Sequence, residues 1–449
     1  MKVSRLKTFA LVIWMGILAA GVLLAVLVLN VNRLPAAPEE NPQGLTPVPS
    51  PSHAFPTWTF TPARPIIYLP SATARPVSPT ATQPSPTPIT PFPTTAPQFY
   101  AVQDGDPLTG TYPAADELLD RRPVAVKITN FPRSVRAYQS GLSRADVAFE
   151  YYIEDGLTRF IAVFYGQDAE RAGPVRSGRY FDEHIMRMYH SSLVFANADE
   201  RVEKYLYESD LHSLLFIPRD DYCPPLCRDT NIKGYNNVFV NTAGVGPKLS
   251  DNSRQDLRLT NFGPLLRPEN YPAIYKISNH YSIYSYNYWE YDPGLQLYRR
   301  YSDAGEASAF TVDEIYQPHI DHLTGEQLTT QNVVELIVPH NFNNEYDRAD
   351  QVFNITLTGN GPAYIFREGR MILGDWLRDR LDQPILLIDD QGQPIALQPG
   401  VTFYQVINPA STISTGDEEI DFNFYTPLRH VTLTPTPIGY DPTPTPKKK

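Results

Sequence analysis

Proline placement limits what much of this chain can fold into. Of the 44 prolines in 449 residues, 18 lie between Pro35 and Pro97 and five between Pro435 and Pro446. Each proline fixes φ and removes a backbone donor. Residues 33–98 are also rich in Thr-Pro and Ser-Pro steps. Such a stretch cannot bury enough apolar surface to offset its ordering entropy. It is expected to be a disordered Pro/Thr-rich linker, extended and partly polyproline-like. At ~3.1 Å per residue it reaches on the order of 200 Å when fully stretched. Residues 431–449 repeat the composition and are expected to be a disordered tail. Between them lie roughly 330 residues of ordinary composition, enough for a sizeable core.

The amino terminus carries its own constraint. Residues 1–8 hold Lys2, Arg5 and Lys7, and residues 9–29 are apolar without a single charge. That run makes roughly 31 Å of helix, enough to cross a hydrocarbon core. A cleaved signal peptide has a shorter apolar region, and no cysteine stands here to carry a lipid. The expectation is an uncleaved transmembrane helix behind a cytoplasmic tip, with everything after residue 33 extracytoplasmic. The formal net charge of −11 excludes nucleic acid as a general partner, since phosphate binding needs clustered Lys and Arg. The two cysteines, Cys223 and Cys227, are too few for a structural zinc site and are not spaced as a redox pair. Outside the cytoplasm they would form a small-loop disulfide; otherwise they are two free thiols.

Two folded regions are expected, giving an α+β chain. Residues 99–268 read as a mixed α/β domain. Strands are expected at 122–129, 157–165 and 193–196, helices at 179–191 and 200–207, and a short helix capped by Ser143 and running through Phe149. Residues 269–430 read as a β-rich domain of many short strands with glycine turns, among them Gly359-Asn-Gly361 and Glu368-Gly369. Trp376 and Leu377 are expected on a loop or helix over it.

Chemistry concentrates in residues 139–183, where Glu150, Glu154, Arg159, Arg176, Ser177 and Arg179 sit among apolar segments. One reading is an internal ion-pair network, since charges near a core are normally paired. The other is a pocket for an anion, gripped by the arginines with help from Ser177 and from amides at a helix start. A hydrolytic carboxylate pair, Glu150 with Glu154, is a third. His319, Asp321 and His322 are too sparse for a metal site and read as a solvated turn. No phosphate loop, metalloprotease motif or nucleophile elbow occurs, and no metal or cofactor is expected. Tyr281, Tyr284, Tyr286, Tyr288, Trp289 and Tyr291 alternate as in a strand. One set would pack the core and the other could meet a glycan.

Several of these motifs resemble one family. Gln139-Ser-Gly-Leu142, Asp146, Glu150, Glu154-x-Gly156-x-Thr158-Arg159-Phe160 and Gly173-Pro-Val-Arg-Ser177-x-Arg179 are similar to the YerB-like family of bacterial envelope lipoproteins, a domain-of-unknown-function family. Tyr298-x-Arg300, Asp321, Thr324-Gly325, Trp376 and Pro399-Gly400 fit its carboxy-terminal part. This chain has Asn236 where the family pattern has a histidine, and it lacks a lipobox cysteine. The resemblance implies a two-domain, surface-exposed bacterial protein and imports no activity. Leu215-Phe-Ile-Pro-Arg219-Asp220 also resembles a segment of the LytR-type polymer transferases, which implies a rival reading as an enzyme acting on lipid-linked or cell-wall polymers. The leading reading is a membrane-anchored envelope protein binding an anionic or glycan ligand through these arginines, with Glu150 and Glu154 orienting them. A purely structural role is the third reading.

Overall fold

Residues 158–164 set the pattern of the fold. Phe160, Ala162 and Phe164 belong to one hydrophobic cluster, and Ile161 and Val163 to another. Successive strand side chains point to opposite faces, so this strand is covered on both sides. That accounts for a continuous apolar run rather than an alternating one. The structure, a computed structural model, describes residues 105–257, 260–305, 314–342 and 353–424, apart from the side chains of Asp220, Phe342 and Phe353. The expected transmembrane helix at 9–29, the linker at 33–98 and the tail at 431–449 lie outside the described residues. All described residues fall in one unit, Thr90–Lys449.

The first half contributes strands β1 (Val124–Thr129), β2 (Val147–Tyr152), β3 (Thr158–Phe164), β4 (Ser192–Val194), β5 (Leu215–Phe216), β6 (Leu226–Arg228) and β7 (Val238–Val240). It also contributes helices α1 (Phe181–Tyr189) and α2 (Glu200–Glu208). The second half adds β8 (Lys276–Ser282), β9 (Ser285–Asp292), β10 (Leu297–Asp303), β11 (Tyr316–Pro318), β12 (Thr329–Thr330), β13 (Asn332–Ile337) and β14 (His340–Phe342). It continues with β15 (Phe353–Ile355), β16 (Gly359–Arg367), β17 (Arg370–Arg378), β18 (Leu386–Ile388), β19 (Thr402–Ile407), β20 (Thr412–Thr415) and β21 (Glu419–Asn423). The described part is thus mostly β-sheet with few helices.

The two halves share one sheet. Ten strands run in the order β18-β17-β16-β13-β19-β2-β3-β1-β4-β5. The halves meet where β19 pairs parallel with β2, from Thr402↔Val147 to Val406↔Tyr151. One face of this sheet packs against α1 through Phe181, Ile185 and Met188 and against α2 through Val202 and Leu206. The other face packs against a second sheet, ordered β11-β10-β9-β8-β21-β20, through Ile277, Trp289, Tyr298 and Phe422. The architecture is three-layered: helices, large sheet, small sheet.

Several expectations are corrected. The helix expected after Ser143 is only a 3-10 turn, Leu142–Arg144, followed by β2. Val147, Phe149 and Tyr151 enter one cluster and Ala148 and Tyr152 the other, so period two wins over the weak helical spacing. Gly359 to Gly361 opens β16 instead of making a turn, and Trp376 lies within β17 with its indole N–H on the Ile337 carbonyl at 2.9 Å. In the tyrosine-rich β9, Tyr286 and Trp289 are buried, while Tyr288 stacks on Tyr301 at 4.5 Å.

Candidate functional site

Strand alternation divides the acidic and basic cluster between two faces of the large sheet. Glu150 points with Ala148 and Tyr152 toward the small sheet. There it is fully buried and pairs with Arg300 of β10 at 2.6 Å. Its other oxygen accepts from Thr158 at 2.7 Å and Asn130 at 3.1 Å. The Arg300 guanidinium is also fully buried. It sits 5.2 Å from the rings of Phe160, Trp289 and Phe403, and its Nε donates to His319 Nδ1 at 3.3 Å. His319 therefore carries its proton on Nε2, which donates to Gln139 Oε1 at 2.5 Å. Burial, then Arg300, holds its pKa well below the usual value. Nearby Glu335 accepts from Asn279 at 2.8 Å, and burial pushes its carboxyl up to about 8. Among the described residues its Oε2 has no partner, and neither has Asn279 Oδ1. A neutral carboxylic acid supplies the O–H donor that such an acceptor needs.

This closed seam corrects two expectations. Glu150 orients Arg300, not the arginines near it in sequence, and it is fully buried. His319 and Asp321 are 1% and 2% exposed rather than on a solvated turn. Asp321 accepts from the backbone N–H groups of Gly141 at 2.9 Å and Ser143 at 2.7 Å, tying the halves together. Among the described residues no group of three or more acidic, His or Cys side chains could hold a metal.

The opposite face gathers the remaining arginines at the ends of β2 and β3. Arg159 is the second residue of β3 and pairs in register with Thr129 and Tyr151. Gly173 lets the next segment approach β7: its φ is +145°, and a Cβ there would stand 2.8 Å from the Val238 carbonyl oxygen. Val175 then bonds to Val238 at 2.7 Å and Arg176 to Lys127 at 2.9 Å, through backbone N–H groups, which fixes Arg176 beside Arg159. Arg179 stands just before α1, whose first turn is acidic and whose last turn is basic, as the helix dipole favours.

The arginines are not equivalent. Arg179 grips Glu154 with two nitrogens, Nε at 3.0 Å and Nη2. Arg159 lies 3.9 Å from Glu154 and donates to the Ser177 carbonyl at 2.9 Å, so Ser177 contributes its backbone to the cluster. Lys127 donates to Asp182 at 3.0 Å beneath them. Burial lowers its pKa to about 7, opposed by Asp182 and helped by Arg159 and Arg179. Burial and Arg179 pull Arg159 down to about 9, which leaves it charged at neutral pH. Four cations thus face two carboxylates, Glu154 and Asp182. Arg176 has no ion-pair partner among the described residues, its Nε is buried without a hydrogen bond, and burial lowers its pKa.

A cleft of about 320 Å³ opens here, lined by Arg159 and Arg176 together with Thr129, Phe131, Leu157 and Asn236. Arg219 is not part of it; it pairs with Asp221 on an exposed turn at 3.8 Å. The Asp220 side chain lies outside the described residues. Cys223 and Cys227 form the expected disulfide. Sequence reasoning missed Lys127, Arg300 and Asn236 as members of these sites. Lys127 did carry a signal, as the one charge inside an apolar strand.

Family comparison agrees with this layout. Residues 108–255 match the N-terminal domain of a protein of unknown function, DUF3048, and residues 277–404 match its C-terminal domain. This chain belongs to the DUF3048 family. The two DUF3048 segments supply the two halves of the ten-stranded sheet, so the family's domain pair is joined by main-chain hydrogen bonds at β19 and β2. The chain is 28% identical over 322 residues to the "Putative lipoprotein YerB" of Bacillus subtilis (strain 168), across 69% of this chain and 89% of that one. The crystal structure of the Bacillus subtilis YerB protein superposes with a TM-score of 0.54 at 23% identity, over 67% of this chain and 96% of that one. That likeness supports the fold.

Proposed function

We propose that this DUF3048 protein is a membrane-anchored, extracytoplasmic envelope protein that binds an anionic ligand in the cleft at Arg159 and Arg176, with Arg179 and Glu154 as the frame behind them. One observation carries the reading: Arg176 is a half-buried cation with a buried, unpartnered Nε, beside two arginines that already have partners. Buried donors are normally satisfied, and an anion in the cleft would satisfy this one. The name of its Bacillus relative, a putative lipoprotein, supports an envelope location. The disulfide fits an oxidising compartment. The apolar run at 9–29 would take the place of the lipid anchor, with residues 33–98 holding the folded part away from the bilayer. Among the described residues no helix is long and apolar enough to cross a membrane.

The test is calorimetric titration of the full chain with inorganic phosphate and pyrophosphate. Binding that falls at least about tenfold in Arg176→Ala, with the melting temperature held, supports the reading. Equal binding by the two proteins sinks it. The transferase alternative gains no such support, because Arg219 sits away from the cleft on an exposed turn.

A further inference from the structure

The cleft has two unlike kinds of lining. Arg176, with its Nε unpartnered, and Asn236, whose side-chain oxygen is buried, both lack a partner for those atoms among the described residues. Other polar groups of the lining are already engaged: Thr129 donates to the Phe131 carbonyl at 2.7 Å, and Thr158 donates to Glu150. The rest of the lining is mostly carbon, from Phe131, Pro132, Ile153 and Leu157. Phe131 is 36% exposed, and Tyr235 at the rim is 85% exposed. The Tyr235 ring has no ring or hydrogen-bond partner among the described residues. A ring this open is free to lie over an occupant of the cleft.

Neither a small hydrophilic anion nor an apolar molecule suits both kinds of lining. Inorganic phosphate would satisfy Arg176 and leave the wall wet. A neutral hydrocarbon would cover the wall and strand a cation away from water. Resting on the anion-binding reading above, we propose that the cleft takes an amphiphilic anion: a phosphate monoester or carboxylate held by Arg176 and Asn236, with an apolar arm laid along Phe131, Pro132, Ile153 and Leu157 under Tyr235. The Asn236 amide serves either polarity, accepting from a phosphate O–H through its oxygen or donating through its nitrogen. A soluble aryl or alkyl phosphate and a lipid headgroup with its first methylenes share this chemistry.

The experiment compares three probes on the full chain by calorimetry: inorganic phosphate, phenyl phosphate and phenyl glucoside. Phenyl phosphate should bind about tenfold or more tighter than phosphate, as burial of a ring-sized apolar arm would give. The double variant Phe131→Ala/Leu157→Ala should erase that advantage, and Arg176→Ala should weaken both anions. If phenyl phosphate and phosphate bind equally to the unaltered protein, the amphiphile inference fails and anion binding stands. If phenyl glucoside binds as tightly as phenyl phosphate, the anionic head is irrelevant and the inference fails. If neither anion binds, the anion reading fails and takes the inference with it. Vesicles of phosphatidic acid in phosphatidylcholine then separate the two sources. Displacement of phenyl phosphate by them supports a lipid headgroup, and undiminished binding beside them supports a soluble ester.

Discussion

Glu150 and Arg159 lie on neighbouring strands of one sheet, yet they meet opposite fates. Glu150 faces the small sheet, where Arg300, Thr158 and Asn130 complete its bonding and aromatic rings close over the pair. Arg159 faces the helical side at a strand end, where the sheet stops and α1 begins, and a cleft remains. The same residue types are architecture in one place and a candidate binding surface in the other. What separates them is closure: a charge at mid-strand is covered by the next layer, whereas a charge at a strand end can be left at an opening.

The sharpest way to break this contrast is Arg300→Ala. It leaves Glu150 fully buried without its cation, which should cost about 3–5 kcal/mol, read as a loss of denaturant midpoint or as failure to fold. Replacing both partners with apolar residues, Glu150→Leu with Arg300→Met, should recover most of that loss. Little change in Arg300→Ala would mean that the seam is open to water.

Next in size is the pH dependence of the seam. Glu335 has a folded pKa of about 8 against an ordinary value of 4.5. Between those values the folded state holds the proton more tightly, so this group makes stability fall as pH rises from about 4.5 to 8. Glu335→Gln keeps the hydrogen-bonding shape and should flatten that decline in unfolding curves taken at pH 5, 6.5 and 8. A variant with the original slope would assign the titration elsewhere.

The cleft side should show the opposite sign. Lys127 is depressed to about 7 in the folded state from 10.5. The unfolded chain therefore binds more protons between pH 7 and 10.5, and stability contributed by this group rises over that window. Lys127→Met should remove the rise, measured between pH 7 and 10; persistence of the full slope would show that Lys127 is not its source.

The smallest stability effect is expected for Arg176→Ala. With no ion pair to lose, it should shift the unfolding free energy by less than about 1 kcal/mol while anion affinity drops. A loss comparable to Arg300→Ala would make the cleft architecture as well.

Much of the fold was legible in local pattern. The buried run of β3, helices α1 and α2 and many short strands of the second half follow from periodicity and turn residues, which are properties of neighbours in sequence. The family motifs likewise marked Glu150, Arg159, Arg176 and Arg179 before any geometry was known. What failed was short and ambiguous: the six residues from Arg144 to Phe149 carry spacings compatible with a helix, and only burial on both faces makes Val147–Tyr152 a strand.

By itself, then, the sequence determined that the prolines confine the core to the middle of the chain, where most strands and helices lie, and which charged residues sit among apolar ones. It could not decide which acid meets which arginine. Glu150 lies nine residues from Arg159 and 150 from Arg300, yet it pairs with the distant one. Strand alternation turns neighbours in sequence to opposite faces, and sheet stacking brings remote residues together. Only the tertiary structure shows which of these charges are sealed and which are left facing a cleft.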